Sequence, residues 1–160
     1  MTFLSGAVNV CGAGLVHDPA HPSDHKTMYQ IISSAVANSP PSSYVVRLLH
    51  SNDKQQYIPL NGQRSNPPRP SDTKEDMIDL FQTDVNGQPR EHKKLLGRRN
   101  YVAIVAYDPD AVNAPVGWPE PTQGGGKLSL SVDFMAQGDG SFSNVFKYGP
   151  LVIPKVEHGA

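Results

Sequence analysis

The residues best spaced for chemistry are His17, His21 and His25, which stand four apart in His-Asp-Pro-Ala-His-Pro-Ser-Asp-His. On a helix that spacing turns three imidazoles toward one side, the arrangement by which paired histidines hold zinc. Pro19 and Pro22 forbid the helix, because each removes an amide donor and disfavours helical torsions in the residue before it. The spacing therefore loses its geometric warrant. The segment reads as a solvated polar loop, with His17, His21 and His25 as metal candidates and no cofactor expected.

Other chemical signatures fail on single positions. Gly12 and Gly14 open a dinucleotide-type turn, but the third glycine would fall on His17. Gly126-Lys127 resembles the end of a phosphate loop, yet its first glycine would fall on Pro121 and Leu128 stands where a magnesium-binding hydroxyl is needed. Asp108-Pro109-Asp110-Ala111 resembles a stretch of the phosphatidylethanolamine-binding family over those four positions alone; that family's following His-Arg region has no counterpart, and the segment reads as an Asp-Pro turn. No Gly-x-Ser-x-Gly elbow occurs. With no catalytic constellation recognisable, the expectation is that the protein is not an enzyme.

Charge gives the remaining signal. Arg90, Lys93, Lys94, Arg98 and Arg99 face only Glu91 within residues 90–99, whereas Asp72, Glu75, Asp76, Asp79 and Asp84 face only Lys74 within 72–84. Such patches attract one another within a fold or between copies. The basic run could also grip a phosphate backbone, although it has no aromatic residue on which bases could stack.

These groups must be positioned by a chain of 160 residues, a length suited to one domain. Charged residues make up 18%, the formal net charge is −1, and Gly and Pro number 14 and 15, which describes a turn-rich chain with a weakly charged surface. A hydrophobic share of 38% excludes a disordered tail. The single Cys11 excludes an internal disulfide and reads as a buried apolar residue. Met1 to Val16 has neither the basic flank of a signal peptide nor the run of about 20 apolar residues of a membrane span, so no membrane partner is expected.

Along the chain, 3–10 reads as a strand. Met28, Ile31, Ile32, Ala35 and Val36 recur at helical steps and predict a helix over 25–37, stopped by Pro40-Pro41. Tyr44 to Leu49 is β-branched and aromatic and reads as a strand, with a weaker one over 55–60. Residues 73–81 lean to a short helix, and Asn86-Gly87 marks a turn. Asn100 to Tyr107 is apolar on both faces, which places it mid-sheet. Leu128, Leu130, Val132 and Phe134 alternate with polar or flexible neighbours, and 127–149 reads as an antiparallel hairpin followed by a short strand at 151–153.

The expected fold is mainly β: an antiparallel β-sandwich or rolled sheet of about six to eight strands with one packed α-helix. It forms a single domain over 1–160, with long Pro-rich loops or arms at 17–24, 61–71 and 108–126. Loops longer than about 12–15 residues are usually functional or linker-like. The leading expectation is a structural, self-assembling protein of virion coat, decoration or tail-tube type, whose partners are other copies of itself and other structural proteins. Its interface would use Trp118, Arg69, Lys93, Lys94, Arg98, Arg99, Asp76 and Asp79, since Trp and Arg most often dominate interfaces. Localisation would be the virion, or the cytoplasm failing that. The alternatives are a monomeric β-sandwich that binds a glycan or peptide through Trp118, Tyr107 and Tyr148, and a nucleic-acid contact through the 90–99 cluster.

Overall fold

The computed structural model describes residues 1–18, 27–51, 56–58, 73–107, 128–139 and 144–155. The described chain is mainly β, with two sheets and one short helix, as the composition and alternation implied. The larger sheet is mixed. Strands β1 (Thr2–Ala7), β2 (Cys11–His17), β3 (Met28–Ser34), β4 (Gln56–Ile58) and β5 (Thr73–Met77) lie in the order β1-β3-β2-β5-β4, and β6 (Leu95–Leu96) pairs with β2. The smaller sheet is antiparallel, in the order β7 (Asn100–Tyr107), β8 (Ser129–Gln137), β9 (Val145–Ile153). Both sheets contribute to one core, where Cys11, Ala13, Ile31, Phe81 and Leu96 meet Val132, Phe134, Ala136, Tyr148 and Ile153. Phe81 sits at its centre, edge-on to Phe134 and Tyr148 at ring distances of 5.7 and 5.1 Å. Aromatic rings prefer such edge-to-face contact because the positive rim of one meets the negative face of the other.

Two expected elements exchange character. The predicted helix 25–37 contains strand β3, which pairs in parallel with β1 and antiparallel with β2. Ile31 is buried from this strand, and its β-branched neighbour Ile32 pairs with Gly12. Two ladders of backbone hydrogen bonds override a helical spacing that is only about three turns long. The predicted strand 44–49 is instead helix α1 (Ser43–Ser51), started where the Ser42 carbonyl accepts from Val45 N and Val46 N at 3.0 and 3.3 Å. Helix α1 packs against β6, and Val46 is the residue it buries.

Further differences follow from pairing. Residues 73–81, expected as a helix, supply strand β5 between β2 and β4. Strand β7 is an edge rather than a central strand: among the described residues it pairs only with β8, and Tyr101 and Val105 remain 52% and 47% exposed. An apolar run shows that a strand can be covered on both faces, but it does not decide which strands find partners on both edges. The expected single strand 3–10 ends at Ala7, with β2 beginning at Cys11.

The hairpin stands as predicted, with β8 and β9 paired from Leu130↔Ile153 to Gln137↔Val145. The short strand expected at 151–153 is the continuation of β9. The β8–β9 register shifts between Val132 and Phe134, opposite Gly149. Gly149 has φ +130°, and a Cβ there would lie 2.7 Å from Asp133 Oδ1 and 2.8 Å from the Val132 carbonyl. Only glycine tolerates both the torsion and the approach. Asn86-Gly87 also forms its turn, with Gly87 at φ +81° and Asp84 Oδ1 accepting from Asn86 N and Gln88 N, each at 2.8 Å.

Among the described residues no helix is long and apolar enough to cross a membrane. The loop residues 19–24, the arm 61–71 and the loop 108–126 lie outside the described residues.

Candidate functional site

The two sheets meet at a polar corner where β3 ends and β7 begins. Asn100 is 3% exposed and Ser34 7% exposed, so each must find partners inside the protein. Asn100 Oδ1 accepts from Ser33 Oγ at 3.0 Å and from Ser34 N at 3.3 Å. Its Nδ2 donates to Ser34 Oγ and to the Arg98 carbonyl, and Ser34 Oγ donates to that same carbonyl at 2.6 Å. The carboxamide therefore ties two strands that are 66 residues apart in sequence. Over this corner lies an open depression of about 590 Å³ lined by Gly6, Ala7, Val8, Ser33, Ser34, Ala35 and Asn38.

Two guanidiniums flank the corner. Arg98 Nη1 pairs with Asp139 Oδ1 at 2.8 Å and donates to the Gln137 carbonyl at 3.1 Å. Hydrogen bonds from Arg98 and then Asn86 hold the Asp139 carboxyl below its ordinary pKa. Arg99 Nε donates to the Asn38 carbonyl at 2.8 Å, on the rim of the depression. The Arg99 guanidinium thus reaches the rim of a depression that Ser33 and Ser34 help to line, whereas the Arg98 guanidinium is held away by Asp139 and the Gln137 carbonyl. Such planar and hydroxylic donors match the geometry of phosphate oxygens.

The opposed patches meet elsewhere, within one chain. Lys94 Nζ lies 2.8 Å from Asp76 Oδ1, and Lys74 Nζ lies 3.2 Å from Asp76 Oδ2. Burial pushes the Asp76 carboxyl up, but hydrogen bonds from Lys94, Lys74 and Met77 N outweigh it and leave the group below its ordinary value. Asp79 contributes its carbonyl to Gln82 Nε2 at 2.7 Å, and Lys93 contributes its carbonyl to Phe81 N at 2.8 Å. Arg90 folds back on its own segment, donating to the His92 and Leu95 carbonyls at 3.1 and 2.9 Å.

Of the residues singled out by sequence, Asp76 and Lys94 are brought together, Arg98 joins the polar corner through its carbonyl and Arg99 through its contact with Asn38, and His17 closes β2. Trp118, Arg69, His21 and His25 lie outside the described residues. Ser33, Ser34 and Asn100 escaped the sequence reading because their meeting depends on sheet pairing, although an Asn opening an otherwise apolar run was a signal for a buried polar joint. Cys11 is fully buried, and that burial pushes its thiol up to about 12, against a smaller lowering by Arg90.

No three or more His, Cys, Asp or Glu among the described residues are grouped so as to hold a metal ion.

Comparison with known proteins supplies what the geometry does not. The family described as PhoD related phosphatase matches residues 1–160, the whole of this chain. No curated protein and no solved structure matches it. The family match overturns the expectation of a self-assembling virion protein and the expectation that the chain is not an enzyme. The reason is physical: hydrolysis needs groups that converge in space, and spacing along this sequence encodes no such convergence. The chain belongs to the PhoD related phosphatase family.

Proposed function

We propose that this protein hydrolyses phosphate esters, and that the polar corner at Ser33, Ser34 and Asn100 with Arg98 and Arg99 is the part of the described body that faces the phosphate. The observation that carries the reading is the family match over every residue. Phosphoryl transfer asks a protein mainly for positioning and for positive or hydrogen-bonding groups around oxygens that gather charge. The backbone of both arginines is fixed, the Arg98 carbonyl accepting from Asn100 Nδ2 and the Arg99 carbonyl from Gln137 N, beside an open depression. Rigid placement of such donors is what lowers their reorganisation cost when charge develops.

The test is release of nitrophenolate from p-nitrophenyl phosphate and from bis(p-nitrophenyl) phosphate, with and without added Mg²⁺, Ca²⁺, Mn²⁺ or Zn²⁺. Turnover of either ester, with KM raised several-fold in Arg99→Ala while the fold is retained, supports the reading. Turnover with KM unchanged in Arg99→Ala removes the corner from substrate binding. Absence of turnover under every condition overturns the reading as a whole.

A further inference from the structure

Strand β7 has the sequence of an inner strand and the place of an edge strand. All 8 residues of Asn100–Tyr107 are uncharged, and after Asn100 each is apolar or aromatic. A run apolar on both faces marks a strand that is covered on both. Among the described residues β7 pairs only with β8, and it is exposed on both faces, through Tyr101 and Val105 on one and Ile104 on the other. Val102 lies opposite Phe134 and Ile104 opposite Val132, so the even-numbered side chains share the core face. The core nevertheless leaves Ile104 37% exposed.

The backbone of this edge is set for strand addition. Gln137 N donates to the Arg99 carbonyl, and successive residues of an antiparallel ladder turn their amide and carbonyl groups to alternate sides. Those of Tyr101, Ala103 and Val105 therefore turn toward β8, and those of Val102, Ile104 and Ala106 turn outward. Proteins usually blunt such an edge with a charge, a proline, a bulge or short length. Strand β9 has Lys147, Pro150 and a register shift, and β4 is 3 residues long. Strand β7 has no charge, no proline and no register shift.

We propose that β7 pairs antiparallel with β7 of a second copy, about a two-fold axis through Ile104, joining two three-stranded sheets into one. The occupant is a second copy because the strand is self-complementary. Pairing centred on Ile104 sets Tyr101 against the partner's Tyr107, Val102 against the partner's Ala106 and Ala103 against the partner's Val105. Every such pair is apolar or aromatic and none opposes like charges, which would repel across the strands. The outward amides and carbonyls of Val102, Ile104 and Ala106 also meet one another in this register. Strand β1, the uncharged edge of the mixed sheet, fails the same test, since self-pairing along its length sets Phe3 against Gly6 and Leu4 against Ser5. With a formal net charge of −1, two copies repel little. A contact of one strand per copy lies below the roughly 1,200 Å² of a standard interface, so the pair is weak and depends on concentration. Its two-fold axis closes it, and it extends no further. The inference does not depend on the phosphatase reading.

The experiment is sedimentation velocity of the full chain from micromolar to millimolar concentration. The expected result is a shift from monomer toward dimer, abolished by Ile104→Lys, which sets two ammonium groups against each other at the axis. To guard against a variant that does not fold, amide hydrogen exchange of the unmutated chain is followed at both ends of the range. The amides of Val102, Ile104 and Ala106 are expected to exchange about tenfold more slowly at the higher concentration, with those of Ala103 and Val105 unchanged. A monomer at every concentration, a dimer that a folded Ile104→Lys variant retains, or equal exchange of the three outward amides at both concentrations would each overturn the proposal. Slow exchange of those amides in a monomer at every dilution would do so too, by showing that the edge is covered within one chain.

Discussion

Asn100 and Ser34 hold each other in both directions: the carboxamide oxygen accepts from the Ser34 amide at 3.3 Å, and the carboxamide nitrogen donates to the Ser34 hydroxyl. This reciprocal bond is the joint between the mixed sheet and the three-stranded sheet. Asn100→Ala leaves the Ser34 amide and hydroxyl short of a partner in a buried place, which costs about 2–3 kcal/mol. Urea unfolding checks it: the midpoint should fall while the slope stays constant. A loss below about 0.5 kcal/mol, the level of an ordinary surface change, would show that the joint does not hold the sheets.

Asp76 makes stability depend on acid. Its folded carboxyl titrates below the ordinary 3.8, so the stabilisation from Lys94 and Lys74 is fully present above the unfolded value and is lost as pH falls through the folded one. Urea midpoints measured from pH 7 down to pH 2.5 should therefore decline in the unmutated chain, with a shallower decline in Asp76→Asn. Identical acid limbs in the two proteins would remove this pair from the account.

Two glycines with positive φ should respond differently to the same substitution. Gly149→Ala forces a side chain into a strained torsion at 2.7 Å from Asp133 Oδ1, and costs about 3 kcal/mol or more. Gly87→Ala meets nothing within 4 Å at φ +81° and costs about 1–2 kcal/mol, the left-handed penalty alone. Thermal or urea unfolding of the two variants should rank them in that order. Equal losses would mean that the β9 backbone does not press on β8 at this point.

Cys11 should be chemically silent while the protein is folded. It is fully buried, and its thiol is pushed up to about 12, so almost no thiolate exists at pH 8. Reaction with a coloured disulfide reagent should be negligible in buffer and stoichiometric in concentrated urea. Prompt labelling of native protein would show that β2 opens readily.

The sequence was most legible where local pattern and pairing agree. The alternation through Val132 and Phe134 and the turn at Asn86-Gly87 appear in the fold as read, because period-two burial and a left-handed glycine are local requirements. It misled where a short apolar segment fits two periods. Ile31 and Ile32 satisfy helical spacing but lie on a strand with neighbours on both sides, whereas Val45 and Val46 favour a strand but start a helix that packs against β6. The candidate site was hidden for another reason. Ser34 and Asn100 are distant in sequence and adjacent only after folding. The activity class was illegible because none of these residues stands in a spacing that chemistry alone dictates.

The most direct test of the central claim follows a phosphate monoester by ³¹P nuclear magnetic resonance in the presence of the folded, purified chain and each divalent cation in turn. The account predicts that the ester signal declines and inorganic phosphate grows in proportion to protein concentration. An ester spectrum that stays unchanged in every cation, while circular dichroism shows the β fold intact, would contradict it.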